Sequence, residues 1–189
     1  MKNETQTLII DTASALFYEK GYNLTGINEI IAKAGIAKAT LYSHFKSKED
    51  LCIAYLAAKD KELLSNIKNF CNKPPQGDDR LLAVMEFLLP FFQSDGFNGC
   101  WCIRTVAEIP QNNIKIKNQI RKGKEAFMNF ISTLVKENRT KLSTKRQGKL
   151  AKRIYLLYEG AISESHLQDK AWPIQENLEL LKEQLEQFR

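Results

Sequence analysis

Residues 25–51 read TGINEIIAKAGIAKATLYSHFKSKEDL. Two short segments with helical spacing meet at AGIA, where Gly35 breaks the first of them. Helices this short are not stable alone, so each must bury an apolar side against neighbouring elements. Ile27, Ile30 and Ile31 mark that side on the first segment. On the second, over Lys38–His44, Ile36 and Leu41 point inward and Phe45 joins the core. Lys38, Ala39, Thr40, Ser43 and His44 are left on the outer side. Two short helices joined by a tight turn containing Gly form the outline of a helix-turn-helix.

The rest of the chain reads as helix too. No segment sustains the period-2 alternation of a strand. A first helix is expected over Thr5–Lys20, with Ile9, Ala13, Leu16 and Phe17 on one face and Gly21 as its stop. The second begins near Thr25, whose hydroxyl is expected to cap free amides. A fourth starts at Ser47, where SKED supplies a Ser cap and an acidic third position. NKPPQGDD at 72–79 is a linker, followed by a buried helix over 80–93 and a loop over 94–99. Further helices are expected at 100–109, 112–137, 144–168 and 174–188, with Trp172-Pro173 as punctuation before the last. The expectation is an all-α chain. A three-helix helix-turn-helix module occupies residues 1–50, and a helical ligand-binding and dimerisation domain occupies 51–189.

The recognition helix of such a module enters the major groove and shows its N-terminal residues to base edges. Phosphates are held by lysines, hydroxyls and helix N-termini. Thr25 and Asn28 stand at the start of the second helix, and Tyr42 and Lys48 are placed to hold the opposite strand. Between Ala32 and Ser47 the charged residues are Lys33, Lys38 and Lys46, with no acid among them. His44 has two roles open to it, a phosphate contact or packing against Tyr42 and Phe45.

FYEKGYNLTGINEI and AKAGIAKATLYSHFKSKEDL resemble the DNA-binding domain of TetR-family transcriptional regulators, over residues 8–55. The resemblance implies that Thr25, Asn28, Lys38, Ala39, Thr40, Tyr42, Ser43, His44 and Lys48 face DNA. Ile31 stands where members often have Ala, and Ala37 where they have Ser or a similar cap. Ala37 and Ala39 offer methyl contacts to thymine rather than hydrogen bonds.

The resemblance further implies a C-terminal domain that dimerises and holds a small-molecule effector. Gly160, in LYEGAISESHL, permits close helix approach, and Ile174, Leu178, Leu181, Leu185 and Phe188 form an apolar stripe on the last helix. These are the expected dimer residues, with packing inside one protomer as the alternative. Two-fold symmetry would space the DNA half-sites. Met85, Leu89, Phe92, Trp101, Arg104, Phe127, Tyr155 and Tyr158 are candidates for an effector pocket, or simply core. Arg104 lies on a mostly apolar segment, where Glu108 one turn later or an acidic ligand can pair with it.

The net charge is +6, which suits a phosphate-bearing partner. Thirteen Lys or Arg crowd residues 115–153 against only Glu125 and Glu137, outside the helix-turn-helix. They read as solvated faces, or as accessory DNA contact. Four cysteines (Cys52, Cys71, Cys100, Cys102) and two histidines lack zinc spacing, so no metal or other cofactor is expected. GCWCIRTVAE resembles a Gly-Cys segment in part of the family, which opens oxidant or electrophile sensing by Cys100 and Cys102, with buried inert thiols as the alternative. Ala37 and Ala39 open a second function: a helical small-molecule-binding or thiol-based redox- or electrophile-sensing protein without specific DNA binding. No Gly-rich phosphate loop or Ser/His/Asp arrangement points to an enzyme. MKNETQTLII lacks the pattern of a signal peptide, and LLAVMEFLLPFF is too short to span a bilayer. The expected setting is the cytoplasm, with a double-stranded DNA operator, a small-molecule effector and a second copy of the chain as partners.

Overall fold

The computed structural model describes residues 2–188, and among them every regular element is an α-helix. The order is α1 (Lys2–Lys20), α2 (Ile27–Ala34), α3 (Lys38–His44), α4 (Lys48–Cys71), α5 (Asp78–Glu86), α6 (Leu88–Phe92), α7 (Trp101–Glu108), α8 (Ile114–Asn138), α9 (Thr144–Gln168) and α10 (Trp172–Gln187).

Local chemistry explains most boundaries. Gly35 closes α2 with φ 65°, left-handed backbone that glycine adopts without steric cost. Ser47 caps α4: its Oγ accepts the Asp50 amide at 3.0 Å and donates to the Asp50 carboxylate at 2.8 Å. Ser143 Oγ likewise accepts the Arg146 amide at the start of α9. The single helix expected over 80–93 is interrupted at Phe87. Pro90 has no amide hydrogen to give the Glu86 carbonyl, and its ring crowds that turn. Pro173, by contrast, sits inside the first turn of α10 instead of ahead of the helix. An amide there has no intrahelical acceptor, so the missing donor costs nothing.

The chain divides into two compact units: residues 1–62 with 101–123, and 63–100 with 124–189. The first unit therefore adds α7 and the opening turns of α8 to the helix-turn-helix, a segment no linear division at residue 50 includes. Its buried residues include Ile9, Leu16, Phe17, Ile30, Leu41, Leu51, Tyr55, Trp101 and Ile116. Phe17 meets the Tyr55 ring at 5.5 Å between centroids. The core of the second unit gathers Ile67, Leu81, Met85, Phe127, Ile131, Ile154, Tyr158, Leu181 and Leu185, among others, and α10 packs on α9 and α5.

Candidate nucleic-acid interface

Within the first unit, α3 is docked by Leu41, fully buried, and by Phe45, 6% exposed. Replacing a buried leucine by alanine costs about 2–5 kcal/mol, so this anchoring is firm. The opposite side is open: Lys38, Ala39, Tyr42 and Ser43 are exposed, and Thr40 and His44 are half-buried. Ser43 Oγ donates to the Thr40 carbonyl at 2.7 Å, so the hydroxyl is partly held on the helix. The His44 ring lies 6.5 Å from that of Phe45, leaving it partial access to solvent. Ala37 precedes α3 with extended backbone and no side-chain cap. Asn28 is exposed on the first turn of α2.

Two expected positions behave differently. Thr25 is fully buried, and its hydroxyl donates inward to the carbonyl oxygens of Gly21 at 2.7 Å and Leu16 at 3.2 Å. It does not cap α2, whose N-cap is Gly26 with no side-chain hydrogen bond. The physical reason is the exit from α1: the chain turns at Gly21 and brings the hydroxyl back onto the Gly21 carbonyl and the last turn of α1. Lys48 is half-buried, with its ammonium 4.5 Å from the Tyr22 ring centre and 3.4 Å from the Asn23 carbonyl. Burial lowers its pKa, with Cys52 and Glu108 acting the other way.

Residues 9–55 match the family described as bacterial regulatory proteins, tetR family. A TetR-family transcriptional regulator from Streptomyces coelicolor is 25% identical and covers 98% of this chain and 96% of its own, with a TM-score of 0.87. Residues 9–55 are thus a TetR-family segment. Among curated proteins, the transcriptional activator FasR of Mycolicibacterium smegmatis is 31% identical over 94 residues, half of this chain. The fatty acid metabolism regulator protein of Bacillus subtilis is 24% identical over 129 residues, 68% of this chain. The chain spans 43% of the first relative's length and 65% of the second's.

The eight expected effector residues are divided between the two units. Trp101 and Arg104 belong to the first unit. Trp101 is buried and donates from Nε1 to the Asp60 carboxylate at 3.3 Å. Arg104 donates to the carbonyls of Tyr18 at 2.8 Å and Glu19 at 3.0 Å, and lies 3.7 Å from Glu108. It closes the C-terminal end of α1, where carbonyl oxygens lack intrahelical donors. Met85, Leu89, Phe92, Phe127, Tyr155 and Tyr158 all lie in the second unit's core or packed against it. There Phe127 meets Tyr158 at 4.7 Å and Tyr155 at 6.1 Å. A hollow of about 500 Å³ opens in the same unit, but it is lined by Asn138–Leu142, Arg146 and Phe188 and by none of those candidates.

The expected dimer stripe also lies elsewhere. Ile174, Leu181, Leu185 and Phe188 are buried in their own protomer's core, and Leu178 packs against it. α10 shows that stripe to α9 and α5, because those helices supply the nearest apolar surface. Gly160 is exposed, with open space where a Cβ would stand. Beside it on α9 are Leu156, 66% exposed, and Leu167, 78% exposed, while α10 adds Trp172 and Leu180.

Sequence reasoning missed the polar joints of the first unit. Asn23 donates its amide to Glu108 Oε2 at 2.7 Å. Asn113 Nδ2 and Lys115 Nζ each stand 2.9 Å from the Glu49 carboxylate. In the second unit Lys124 pairs with both oxygens of Glu159 at 2.6 Å and lies 3.4 Å from Cys100 Sγ. No local pattern announces pairs so far apart in sequence. Among the described residues no group of three His, Cys, Asp or Glu side chains could hold a metal ion, and no helix is long and apolar enough to cross a membrane.

Proposed function

We propose that this chain is a sequence-specific DNA-binding transcriptional regulator, most simply a repressor that a small-molecule effector releases from its operator. The observation that carries the reading is α3: Leu41 and Phe45 anchor one side, while Lys38, Ala39, Tyr42 and Ser43 stay open on the other. Asn28 and Lys48 flank that face as phosphate contacts, Lys48 after its ammonium leaves the Tyr22 ring. Two copies related by a two-fold axis would present two such helices to successive grooves. The surface offered to the second copy is Leu156, Gly160 and Leu167 of α9 with Trp172 and Leu180 of α10, apolar and uncovered in one protomer.

The effector's place is the aromatic cluster of Phe127, Tyr155 and Tyr158, where the half-buried Lys124–Glu159 pair supplies the polar groups. α8 carries Lys124 in the second unit and Lys115, on Glu49, in the first. A ligand that parts Lys124 from Glu159 acts on the same helix that holds the start of α4. Its binding shifts the population of DNA-competent dimers by its differential affinity for the two states. A gel-shift titration on DNA flanking its own gene, at moderate salt with competitor, tests the reading. Absence of sequence-specific binding rejects it.

One observation favours a second reading of the signal. Cys100 is partly accessible, and its sulfur lies 3.4 Å from the Lys124 ammonium. An electrophile that alkylates Cys100 would then be the effector. Loss of DNA binding on alkylation, abolished by Cys100→Ser, separates this from reversible ligand binding.

A further inference from the structure

The first unit brings the helix-turn-helix together with residues 101–123, and this changes its charge. Residues 1–62 hold eight Lys or Arg and eight Asp or Glu, a balance of zero. Residues 101–123 hold five Lys or Arg and only Glu108, a net +4. The affinity of a protein for duplex DNA comes largely from phosphates neutralised by cations. The helix-turn-helix has local lysines but no net excess over residues 1–62, and the added segment supplies one.

The cations of that segment are placed for it. Ile116 and Ile120 bury one side of α8. Lys115, Arg121 and Lys122 are exposed around the rest of the helix, and Lys117 is half-buried with Nζ 2.6 Å from the Gln111 carbonyl. Lys115 is 72% exposed, and its ammonium stands 2.9 Å from Glu49 in the first turn of α4. That turn follows α3 after three residues and contains Lys48. Asn113 fixes the arrangement from α8's N-terminal side: it donates to the other Glu49 oxygen at 2.9 Å, and its own side-chain oxygen accepts the Ile116 amide at 3.0 Å. The first turn of α8 contains two lysines and no acid. Cations at a helix N-terminus oppose the helix dipole, so this arrangement gains nothing for the helix itself. Glu49 alone would repel a phosphate beside Lys48, and Lys115 cancels that charge.

We propose that Lys115 and Lys117 are phosphate-contacting residues, so that the DNA-binding surface continues from the helix-turn-helix onto the start of α8. The inference rests on the DNA-binding reading above and deepens it. The contact carries no sequence information. It sets affinity, salt dependence and the register of the protein on the duplex.

The test measures binding of a fluorescent 30-base-pair duplex of mixed sequence from about 50 to 200 mM KCl, by anisotropy. Each phosphate contact contributes about 0.9 to the slope of log K against log salt. K115Q/K117Q is expected to flatten the slope by about 2 per protomer. K115R, which keeps the charge, is expected to retain the wild-type slope. Thermal melts of each variant establish that the fold is kept. If the wild type shows no salt-dependent binding, the DNA-binding reading itself fails, and this inference with it. If the wild type binds and Tyr42→Ala weakens it, yet K115Q/K117Q keeps the full slope, only this inference falls. If E49Q/K115Q restores the wild-type slope, Lys115 merely neutralises Glu49, which likewise overturns its contact with phosphate.

Discussion

Arg104 donates to the Tyr18 carbonyl oxygen at 2.8 Å. A residue on α7 thus closes the end of α1, and a side chain with the look of a ligand contact holds the DNA-binding unit together. Glu108, one turn on, completes the joint. It accepts the Asn23 amide at 2.7 Å and stands so close to Gly21 that a Cβ there would lie 2.1 Å from Oε1. Gly21 also has φ 89°, so backbone conformation and available space demand glycine together.

Arg104→Ala should destabilise the fold by about 1–3 kcal/mol, since it strands the Tyr18 and Glu19 carbonyls at the end of α1. Gly21→Ala should cost about 1–2 kcal/mol from the backbone alone, with the contact to Glu108 added. Urea unfolding of both variants checks this. Effector binding by folded Arg104→Ala should be unchanged.

Thr25 and Tyr42 should separate stability from DNA contact. Thr25→Val keeps the volume of a fully buried side chain but removes the donor to Gly21 and Leu16, costing about 1–2 kcal/mol of stability. Its operator affinity, measured well below the melting temperature, should match the wild type. Tyr42→Phe and Lys48→Ala should weaken binding across all sequences. Tyr42→Phe should leave the melting temperature nearly unchanged, whereas Lys48→Ala also gives up its contacts with the Tyr22 ring and the Asn23 carbonyl.

On the last two helices, exposed and buried leucines should respond in opposite ways. Leu156→Glu or Leu167→Glu should convert a dimer to a folded monomer in sedimentation velocity, because both side chains are uncovered in one protomer. Leu181→Glu should unfold the chain, since that side chain has no exposure and its charge would be stranded in the core.

Thiol chemistry should rank the cysteines. Burial pushes the Cys52 and Cys71 thiols up to about 12. A thiol whose folded pKa exceeds the unfolded one stabilises the fold fully below the unfolded value, near 9, and loses that contribution as pH climbs to about 12. Stability should therefore not depend on these groups up to about pH 9 and should fall above it. Iodoacetamide at pH 8 should label Cys100 first, with Cys52 and Cys71 reacting only on unfolding; mass spectrometry reads the order.

The sequence by itself determined what is local. The spacing of Ile30, Leu41 and Phe45, the Gly35 stop and the Ser47 cap act over a few residues. They set the all-helical class and the outward face of α3 wherever the rest of the chain goes. Only the tertiary structure decided which apolar side of α10 stays inside, that Thr25 turns inward, that Arg104 serves α1, and that Lys115 joins Glu49. An amphipathic stripe states that a face must be buried but not against what. A charged side chain takes whichever partner the packing of distant helices brings within about 3 Å.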